Sequence, residues 1–410
     1  MTYNMTRVLY TLRPTVGRKL LIELEGAGQM TIQEVENAAT QLVEGDKKII
    51  RIGGDFGNGA TKLVANKEDL QRLGIRAQAQ VTIPSAIGAR HAGSQELYKR
   101  HRVAYGDVAG LKEQSKLRDF YILQEGMIEY LVGSAAQAYA LDANTARGAQ
   151  SRYFDGWTRR LMLVALHAMF PVLPDDVEIH LMTGVPASFW SSEMVEKIRT
   201  SLGGRHAVTI NNETRTFNVA FVDVAVEGES ALRTLSLADQ VVFCLDVGAY
   251  TAAYGVFKIT ENEILNSPAH AGVEYLGIQE MLDVLDNALV SSKFRPLTIL
   301  ERQELLVALR DKQAYYIIVN NQRVRVDDAA QKVFSQLLAD LMRIIGKKID
   351  LRKVQKAVLV GGGAYFLIDA LNQIAPIAFE SFDQSEFLNA LAYLSMLGGD
   401  VKRAAKKRKK

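Results

Sequence analysis

The sequence contains few of the residues that build disulfide scaffolds and membrane spans. Among 410 residues there is one cysteine, Cys244, which excludes an internal disulfide and a structural zinc site of the cysteine type. No uninterrupted apolar run reaches the roughly 18–20 residues that a membrane helix needs. The segment from Met1 to Gly17 lacks the charged-then-apolar pattern of a secretory signal. We therefore expect a cytoplasmic protein with no membrane partner.

Several catalytic and metal-binding signatures are also missing from the sequence. The six histidines show no spacing typical of a zinc site. No Gly-x-x-x-x-Gly-Lys-Ser/Thr loop is present, which excludes a P-loop enzyme. Ser188 lacks the glycine pattern of a nucleophile elbow. Cys244 lies in an apolar run, and we interpret it as a small core residue rather than a nucleophile.

Basic charge is concentrated at the C-terminus. The net charge is +3, but seven of the last nine residues are Lys or Arg. Without those seven, 42 basic residues remain against 46 acidic ones, so the rest of the chain carries a net charge of −4. Two interpretations of this basic tail stay open. It is either a solubilising end, or an arm that contacts DNA, an acidic partner or a neighbouring subunit.

The length and the hydrophobic pattern predict an α/β protein with two lobes that share one cleft. An N-terminal extension precedes them, with strands expected at Arg7–Leu12 and Lys19–Leu24 and a helix over Ile32–Val43. We divide the chain into four segments: the extension at 1–48, lobe I at 49–225, lobe II at 226–399, and the basic tail at 400–410.

The same short pattern occurs once in each lobe. In lobe I, a strand over Ile49–Ile52 leads into a glycine-rich turn that contains Asp55, and a second strand follows. In lobe II, a strand over Gln240–Leu245 leads into a turn that begins at Asp246, and Ala252–Ile259 forms the next strand. The two aspartates are 191 residues apart. This repetition indicates two similar lobes that face each other.

The glycines around Asp55 have an alternative interpretation as a dinucleotide-binding fingerprint. That fingerprint requires a helix directly after the glycines. Here Thr61–Val64 follows, which has the composition of a strand, and Asn58-Gly59 is a strong hairpin-turn signal. We therefore predict a hairpin with a carboxylate at its bend.

Paired turns of this kind suit a phosphate-binding site. Glycines allow backbone N–H groups to approach an anion closely. The carboxylates of Asp55 and Asp246 would repel phosphate unless Mg²⁺ lies between them, held through water. Lys62 lies on the strand that leaves the first turn and is within reach of the same phosphates. Each turn taken alone is more commonly an ordinary turn, because Asp and Gly are turn residues.

Two further features fit the same site. Gly361–Gly363 separates a buried strand from a helix, where glycines admit a ligand close to the backbone. Glu227 ends another buried strand, where a carboxylate could orient the water that attacks a terminal phosphate. The alternative is that Glu227 or Glu229 only complements a helix N-terminus.

In their order along the chain these features resemble the actin-like ATPase superfamily, and among its branches the ParM-type plasmid-segregating actins. The resemblance covers about residues 49–399 and includes Leu181–Pro186, Phe243–Gly248, Ala271–Gly277 and Val358–Tyr365. It implies an actin-like fold, that is, a duplicated ribonuclease H-like fold with two lobes around a nucleotide cleft. It also implies binding of ATP, with GTP as the alternative, together with Mg²⁺.

The resemblance assigns roles to individual positions. Glu227 positions the hydrolytic water, and Asp55 and Asp246 hold Mg²⁺ through water. Glu274 lies near the ribose. The nucleotide-binding set comprises Asp55, Gly57, Asn58, Gly59, Lys62, Asp246, Gly248, Ala249, Tyr250, Thr251, Glu274, Gly361, Gly362 and Gly363. Ala249 and Tyr250 depart from the family's second loop, which usually has Gly and Thr there, so the hydrolysis rate is open.

The function implied by the resemblance is a filament-forming ATPase that segregates plasmid DNA or serves a related bacterial cytoskeletal role. Its partners are then other copies of itself and a DNA-binding adaptor, so its link to DNA is indirect unless the basic tail contacts DNA. The alternatives are a monomeric actin-fold enzyme, either a sugar kinase or a chaperone-type ATPase, and a nucleotide-binding scaffold with little turnover.

Overall fold

The computed structural model describes residues 21–23, 29–31, 47–89, 120–139, 150–233, 239–260 and 263–398. These residues form a mixed α/β structure, as predicted. The strands are β1 Leu21–Glu23, β2 Gln29–Thr31, β3 Lys48–Phe56, β4 Ala60–Ala65, β5 Gln80–Pro84, β6 Ile87–Ala89, β7 Phe120–Glu125, β8 Ile128–Gly133, β9 Val177–Val185, β10 Gly204–Ile210, β11 Glu213–Val226, β12 Gln240–Val247, β13 Ala252–Ile259, β14 Ile264–Glu274, β15 Tyr316–Val319, β16 Gln322–Arg325, β17 Lys356–Val360 and β18 Phe379–Glu380. The α-helices are α1 Lys67–Arg72, α2 Ser134–Tyr139, α3 Trp157–Met169, α4 Ser192–Leu202, α5 Glu229–Arg233, α6 Ile278–Ser291, α7 Ile299–Arg310, α8 Asp327–Gly346, α9 Ala364–Ile374 and α10 Leu388–Met396.

Two sheets organise the described residues. The first sheet has nine strands in the order β5-β4-β3-β9-β11-β10-β7-β8-β6, and the second has five in the order β14-β13-β12-β17-β18. Each sheet contains an antiparallel meander of three strands, β3-β4-β5 in the first and β12-β13-β14 in the second. On the other side of the meander's first strand lie two parallel strands, β9 and β11 in the first sheet and β17 and β18 in the second. The shared topology confirms the duplicated architecture, and each predicted aspartate turn follows the first strand of its meander.

Strand β12 contains a continuous apolar run from Val241 to Leu245 because both faces of its sheet are covered. In β12, Phe243 and Leu245 join a core that contains residues of α6, α8 and α9. The alternate residues Val242 and Cys244 join a second core with α5 and Leu388. This alternation follows from the twofold side-chain period of a strand. Cys244 is 2% exposed, which confirms it as a core residue, and burial raises the pKa of its thiol.

Helix α10 comes from the C-terminal part of the chain but packs on the first sheet. A Cβ added at Gly53 would lie 1.9 Å from the carbonyl oxygen of Ala390, and one at Gly184 would lie 1.9 Å from the Tyr393 hydroxyl. Two glycines therefore allow α10 to lie directly on β3 and β9. The predicted lobe II, 226–399, thus includes a helix that belongs by packing to the sheet of lobe I.

Strand β3 is longer than predicted. We expected a strand over Ile49–Ile52 and then a turn, but Gly53 and Gly54 continue the strand as far as Phe56. The turn signal was wrong because neither glycine forms a bend: Gly53 serves the contact with α10, and Gly54 is packed against the side chains of Leu181, Leu63 and Phe56. Helix α6 begins at Ile278, shortly after β14 ends at Glu274.

The extension is described only in part. Strands β1 and β2 pair antiparallel, and β1 lies within the predicted strand Lys19–Leu24. The predicted strand Arg7–Leu12, the predicted helix Ile32–Val43 and the basic tail at 400–410 lie outside the described residues. Over the residues that the structure does describe, none of the helices combines the length and the apolar character needed to cross a bilayer.

Candidate functional site

A cavity of about 350 Å³ lies between the two sheets, at the ends of their central strands. Both aspartate turns open into it, together with the turn after β17 and the residue that follows β11. Because the two sheets share one topology, equivalent strand ends face each other across the cavity. Its lining includes Asp55, Gly57, Asn58, Gly59, Lys62, Glu227, Asp246, Gly248, Ala249, Thr251, Gly361, Gly362 and Gly363.

The first turn places a carboxylate beside an ammonium group. Asp55 and Lys62 are directly opposite each other in the β3–β4 hairpin. The Lys62 Nζ lies 3.5 Å from the Asp55 Oδ2, and the Asp55 residue is 8% exposed. Because this ion pair is long, the ammonium can still donate to an anion in the cavity.

The second turn carries a more strongly perturbed carboxylate. Asp246 lies between Ala253 of β13 and Val360 of β17 in the sheet, and its Oδ2 accepts a hydrogen bond of 2.9 Å from the Asn389 Nδ2. Burial and the nearby charge of Asp55 raise the pKa of Asp246 to about 6, although the Asn389 bond acts in the opposite direction. This carboxylate therefore lies where a cation would stabilise its charged form.

The tips of the two turns touch. A Cβ added at Gly59 would lie 2.1 Å from the Ala249 Cβ, so Gly59 makes room for the side chain of Ala249. The Asn58 Nδ2 lies 3.5 Å from the Thr251 Oγ1 across the same gap. The extra methyl group at position 249 is thus accommodated by a glycine of the opposite lobe.

The N-terminus of α6 holds the second turn in place. The Ile278 N–H donates to the Gly248 carbonyl at 3.1 Å, and the Gln279 N–H donates to the Ala249 carbonyl at 2.7 Å. A Cβ at Gly277 would lie 2.5 Å from the backbone of Ala249, so only glycine permits this approach. The turn is therefore rigidly connected to a helix of lobe II.

The third glycine cluster lies against the second turn. Gly361 has φ +85°, and a Cβ there would lie 2.2 Å from the Asp246 Oδ1. The Gly363 N–H donates to the Val247 carbonyl at 3.0 Å. The apolar side chains of Leu306 and Phe366 line the cavity near this cluster. This end of the cavity is suited to an apolar ring system rather than to phosphates.

Glu227 enters the cavity from the first sheet. Its N–H donates to the Val185 carbonyl at 2.8 Å, and Gly228, with φ +80°, turns the chain into α5. Burial, followed by the charges of Asp55 and Asp246, raises the pKa of Glu227 to about 8. A carboxyl group with a pKa near neutrality is suited to proton transfer.

The carboxylate and amide oxygens that line the cavity fit a hydrated cation. The Asn389 Oδ1, on a residue of that lining, is buried with no hydrogen-bond partner in the described structure. Oxygen ligands and bound water are what Mg²⁺ prefers. Among the described residues, no group of three His, Cys, Asp or Glu side chains is arranged to hold a metal directly. Asp55 and Asp246 would therefore hold such an ion through bound water.

Two members of the predicted set lie elsewhere. Tyr250 is not among the residues that line the cavity. Glu274, expected near a ribose, is on β14, where its Oε1 accepts from the Tyr254 hydroxyl at 3.1 Å and from the Lys348 Nζ at 3.2 Å. The Glu274 carboxylate thus joins a strand of lobe II to the end of α8.

Sequence reasoning did not assign roles to several cavity residues. Arg152 and Tyr153, in the 3₁₀ turn before α3, line the cavity, and Asn389 reaches it from α10. Asn389 lies within residues 49–399, over which the family resemblance extends, so the resemblance could have indicated it as a site residue. Arg152 and Tyr153 have no local motif.

Comparison with known proteins supports the fold. Residues 53–229 match the family described as the N-terminal domain of actin-like proteins. No curated protein sequence matches the chain significantly. The structure is similar to that of Ta0583, an archaeal actin homolog, with a TM-score of 0.64 and 16% identity over 85% of this chain and 99% of that chain.

Two bacterial structures are similar to the same extent. A ParM from a 15-stranded Clostridium botulinum filament gives a TM-score of 0.61 with 19% identity, over 85% of this chain and 98% of that one. Bacillus thuringiensis ParM with ATP gives a TM-score of 0.61 with 15% identity over the same shares. The actin-like fold expected from the sequence is thereby confirmed.

Proposed function

We propose that this chain, which has the actin-like fold, binds ATP with Mg²⁺ between its two lobes, hydrolyses it, and assembles into filaments. The observation that carries the proposal is the convergence of Asp55, Asp246 and Glu227 with Lys62 in one cavity. Three carboxylates beside one lysine and one arginine gain stability when a further cation joins them. Glycine turns from both lobes supply the N–H groups that phosphate needs.

The residues divide the binding of nucleotide between them. Lys62 and the backbone of Gly57–Gly59 would contact the terminal phosphates from lobe I, and Gly248–Thr251 would contact them from lobe II. Gly361–Gly363, with the apolar side chains beside it, would face the nucleoside. Asp55 and Asp246 would hold Mg²⁺ through water, and the ion supplies neutralisation of phosphate charge when bound. An archaeal actin homolog of the same fold has been solved with ADP, which supports nucleotide binding in this fold.

Glu227 is the residue positioned to act on water. In hydrolysis, the water oxygen forms a bond to the terminal phosphorus, and the bond between that phosphorus and the bridging oxygen of ADP breaks. Glu227 would orient this water and accept its proton, which is then passed to the released phosphate. Ala249, packed against Gly59, fixes the distance between the two turns and with it the position of the phosphate.

Filament formation and plasmid segregation are the finer parts of the proposal. They are supported by similarity to a ParM filament and to a ParM variant described as non-polymerisable. A cytoplasmic location, a DNA-binding adaptor and an indirect link to DNA follow from the same role. ATP is the proposed nucleotide and GTP the alternative. The test is sedimentation and light scattering with ATP, ADP or no nucleotide over a wide protein concentration range.

ATP-dependent sedimentation that reverses as ATP is consumed supports a dynamic filament. Absence of assembly together with ATP turnover favours a monomeric actin-fold enzyme. Assembly without turnover favours a scaffold. Each outcome thus selects one of the three candidate functions.

The catalytic assignment is tested by Glu227→Gln. We expect phosphate release to fall by about 10²- to 10⁴-fold, because the water loses its proton acceptor. The control is Glu229→Gln, since Glu229 begins α5 next to this site but pairs with Arg233 at 2.7 Å. Equal phosphate release from wild type and Glu227→Gln would remove Glu227 from this role.

A further inference from the structure

Arg152 lines the cavity, and among the described residues its guanidinium group has no counter-ion. The residue is 4% exposed and lines the cavity that also contains Asp55, Lys62 and Glu227. Within the described part of the chain it forms no ion pair, and its Nη1 is buried with no hydrogen-bond partner. An unpaired buried charge is costly, so such a group is expected to face an anion.

The neighbouring arginines show that this arrangement is specific to Arg152. Arg159 and Arg160, on the following helix, both pair with Glu125, at 3.2 Å and 2.8 Å. Their charges are thus satisfied within the protein, outside the cavity.

Contacts on one side of Arg152 fix its direction. Its Nη2 donates to the Tyr153 hydroxyl at 2.6 Å, and its Cζ lies 4.3 Å from the centre of the Tyr153 ring. Its carbonyl accepts a hydrogen bond of 2.8 Å from the Thr158 Oγ1, which ties the turn to the first turn of α3. The Nη1 is left for a ligand, on a guanidinium that is already ordered and loses little freedom on binding.

The charge of Arg152 acts at the reactive end of the cavity. Arg152 and Lys62 are the positive groups that oppose the raised pKa of Glu227. Arg152 thus shares the cavity lining with the carboxylates and acts on the charge of Glu227. An anion held between Arg152 and Lys62 would be in reach of the water that Glu227 orients.

We propose that Arg152 is a further catalytic residue, whose Nη1 donates to the terminal phosphate of the bound nucleotide and stabilises the charge that develops on it during hydrolysis. This rests on the proposed ATPase function. Arg152 gives up no proton: the water oxygen forms the new bond to phosphorus, the bond to ADP breaks, and the guanidinium donates hydrogen bonds throughout. An arginine in this role contributes more to the transition state than to ADP binding.

The test compares Arg152→Gln with wild type and with Arg159→Gln as the matched control. We expect the turnover number for ATP to fall about 10³-fold in Arg152→Gln, within the range measured for arginines that act on phosphoryl transfer. The affinity for ADP should stay within about twofold, whereas the affinity for ADP with aluminium fluoride should fall about 100-fold. Arg159→Gln should change none of these values.

A purely structural role predicts a different pattern. Turnover, ADP affinity and melting temperature would then fall together in Arg152→Gln, and that pattern overturns the proposal. If Arg152→Gln does not fold, Arg152→Lys decides. Lysine keeps the charge but not the planar fork, so we expect an intermediate loss of turnover, about 10- to 100-fold, with unchanged ADP affinity.

Failure of this inference is distinguishable from failure of the proposed function. Wild-type turnover in Arg152→Gln or Arg152→Lys, with Glu227→Gln inactive, leaves the ATPase function in place and overturns the role of Arg152. A wild-type protein that binds neither ADP nor a non-hydrolysable ATP analogue overturns both.

Discussion

The contact between Gly59 and Ala249, at the tips of the two turns, leads to a prediction in which a second substitution restores what the first one disturbs. Gly59→Ala would place a Cβ 2.1 Å from the Ala249 Cβ. Carbon atoms in contact are about 3.5–4.0 Å apart, so the tips must separate by roughly 1.5 Å or distort. The φ angle of Gly59 is not in the left-handed region, so the substitution meets this steric conflict and no backbone penalty.

The expected magnitude follows from the displacement. A misplacement of about 1 Å at a reacting centre can cost 10²-fold in rate, and overpacking costs about 1–3 kcal/mol in stability. We therefore expect Gly59→Ala to lower ATP turnover about 100-fold, which corresponds to about 2.7 kcal/mol of activation free energy. Phosphate release gives the rate, and thermal unfolding separates the effect on turnover from the effect on stability.

Ala249→Gly provides the rescue. With the methyl group of Ala249 removed, the nearest remaining atom to the new Cβ is the Cα of residue 249 at 3.5 Å, an ordinary contact. The double variant should therefore recover to within about fivefold of Ala249→Gly alone, with a coupling free energy of about 2 kcal/mol. Wild-type turnover in Gly59→Ala, or a double variant as impaired as Gly59→Ala, would refute the reasoning.

Three further predictions concern stability. Asp69→Asn should lower the free energy of unfolding by about 3 kcal/mol in urea titrations, because the buried carboxylate accepts three hydrogen bonds from Arg51. Burial and the charge of Arg215 depress the pKa of His167 to about 4, so the unfolded chain binds a proton first as the pH falls. The melting temperature should therefore decrease as the pH is lowered from 6.5 to 4, and His167→Gln should make this decrease smaller. Tyr393→Phe should leave stability unchanged or raise it by up to about 1 kcal/mol in thermal unfolding, since it removes a buried hydroxyl without a partner.

Local signals predicted the elements that carry the phosphate loops. The Asn58-Gly59 turn and the strand composition around it indicated a hairpin, and the structure has β3 and β4 with Asp55 opposite Lys62. The buried strand before Asp246 was equally visible. These features depend on residues that are neighbours in sequence, where turn chemistry and side-chain period act directly.

Contacts between distant segments were beyond such signals. Gly53 indicated a bend because the helix that packs on it, α10, lies more than 330 residues further along the chain. Arg152 has no neighbouring motif, and only packing places it beside Glu227. The resemblance alone placed Glu274 near a ribose, and its contacts with Tyr254 and Lys348 had no signal in the sequence.

The same distinction explains why each aspartate turn alone had an ordinary interpretation. Each sheet contributes half of the cavity, and the halves are held together by contacts with no local signature: Gly59 against Ala249, and Asn389 bonded to Asp246. Asn389 lies on α10, which rests on the first sheet, while Asp246 belongs to the second. Separating the lobes would therefore break the bond that fixes Asp246 and move the two turns apart together. It follows that neither turn specifies a phosphate site by itself, and that the site is a property of the closed pair.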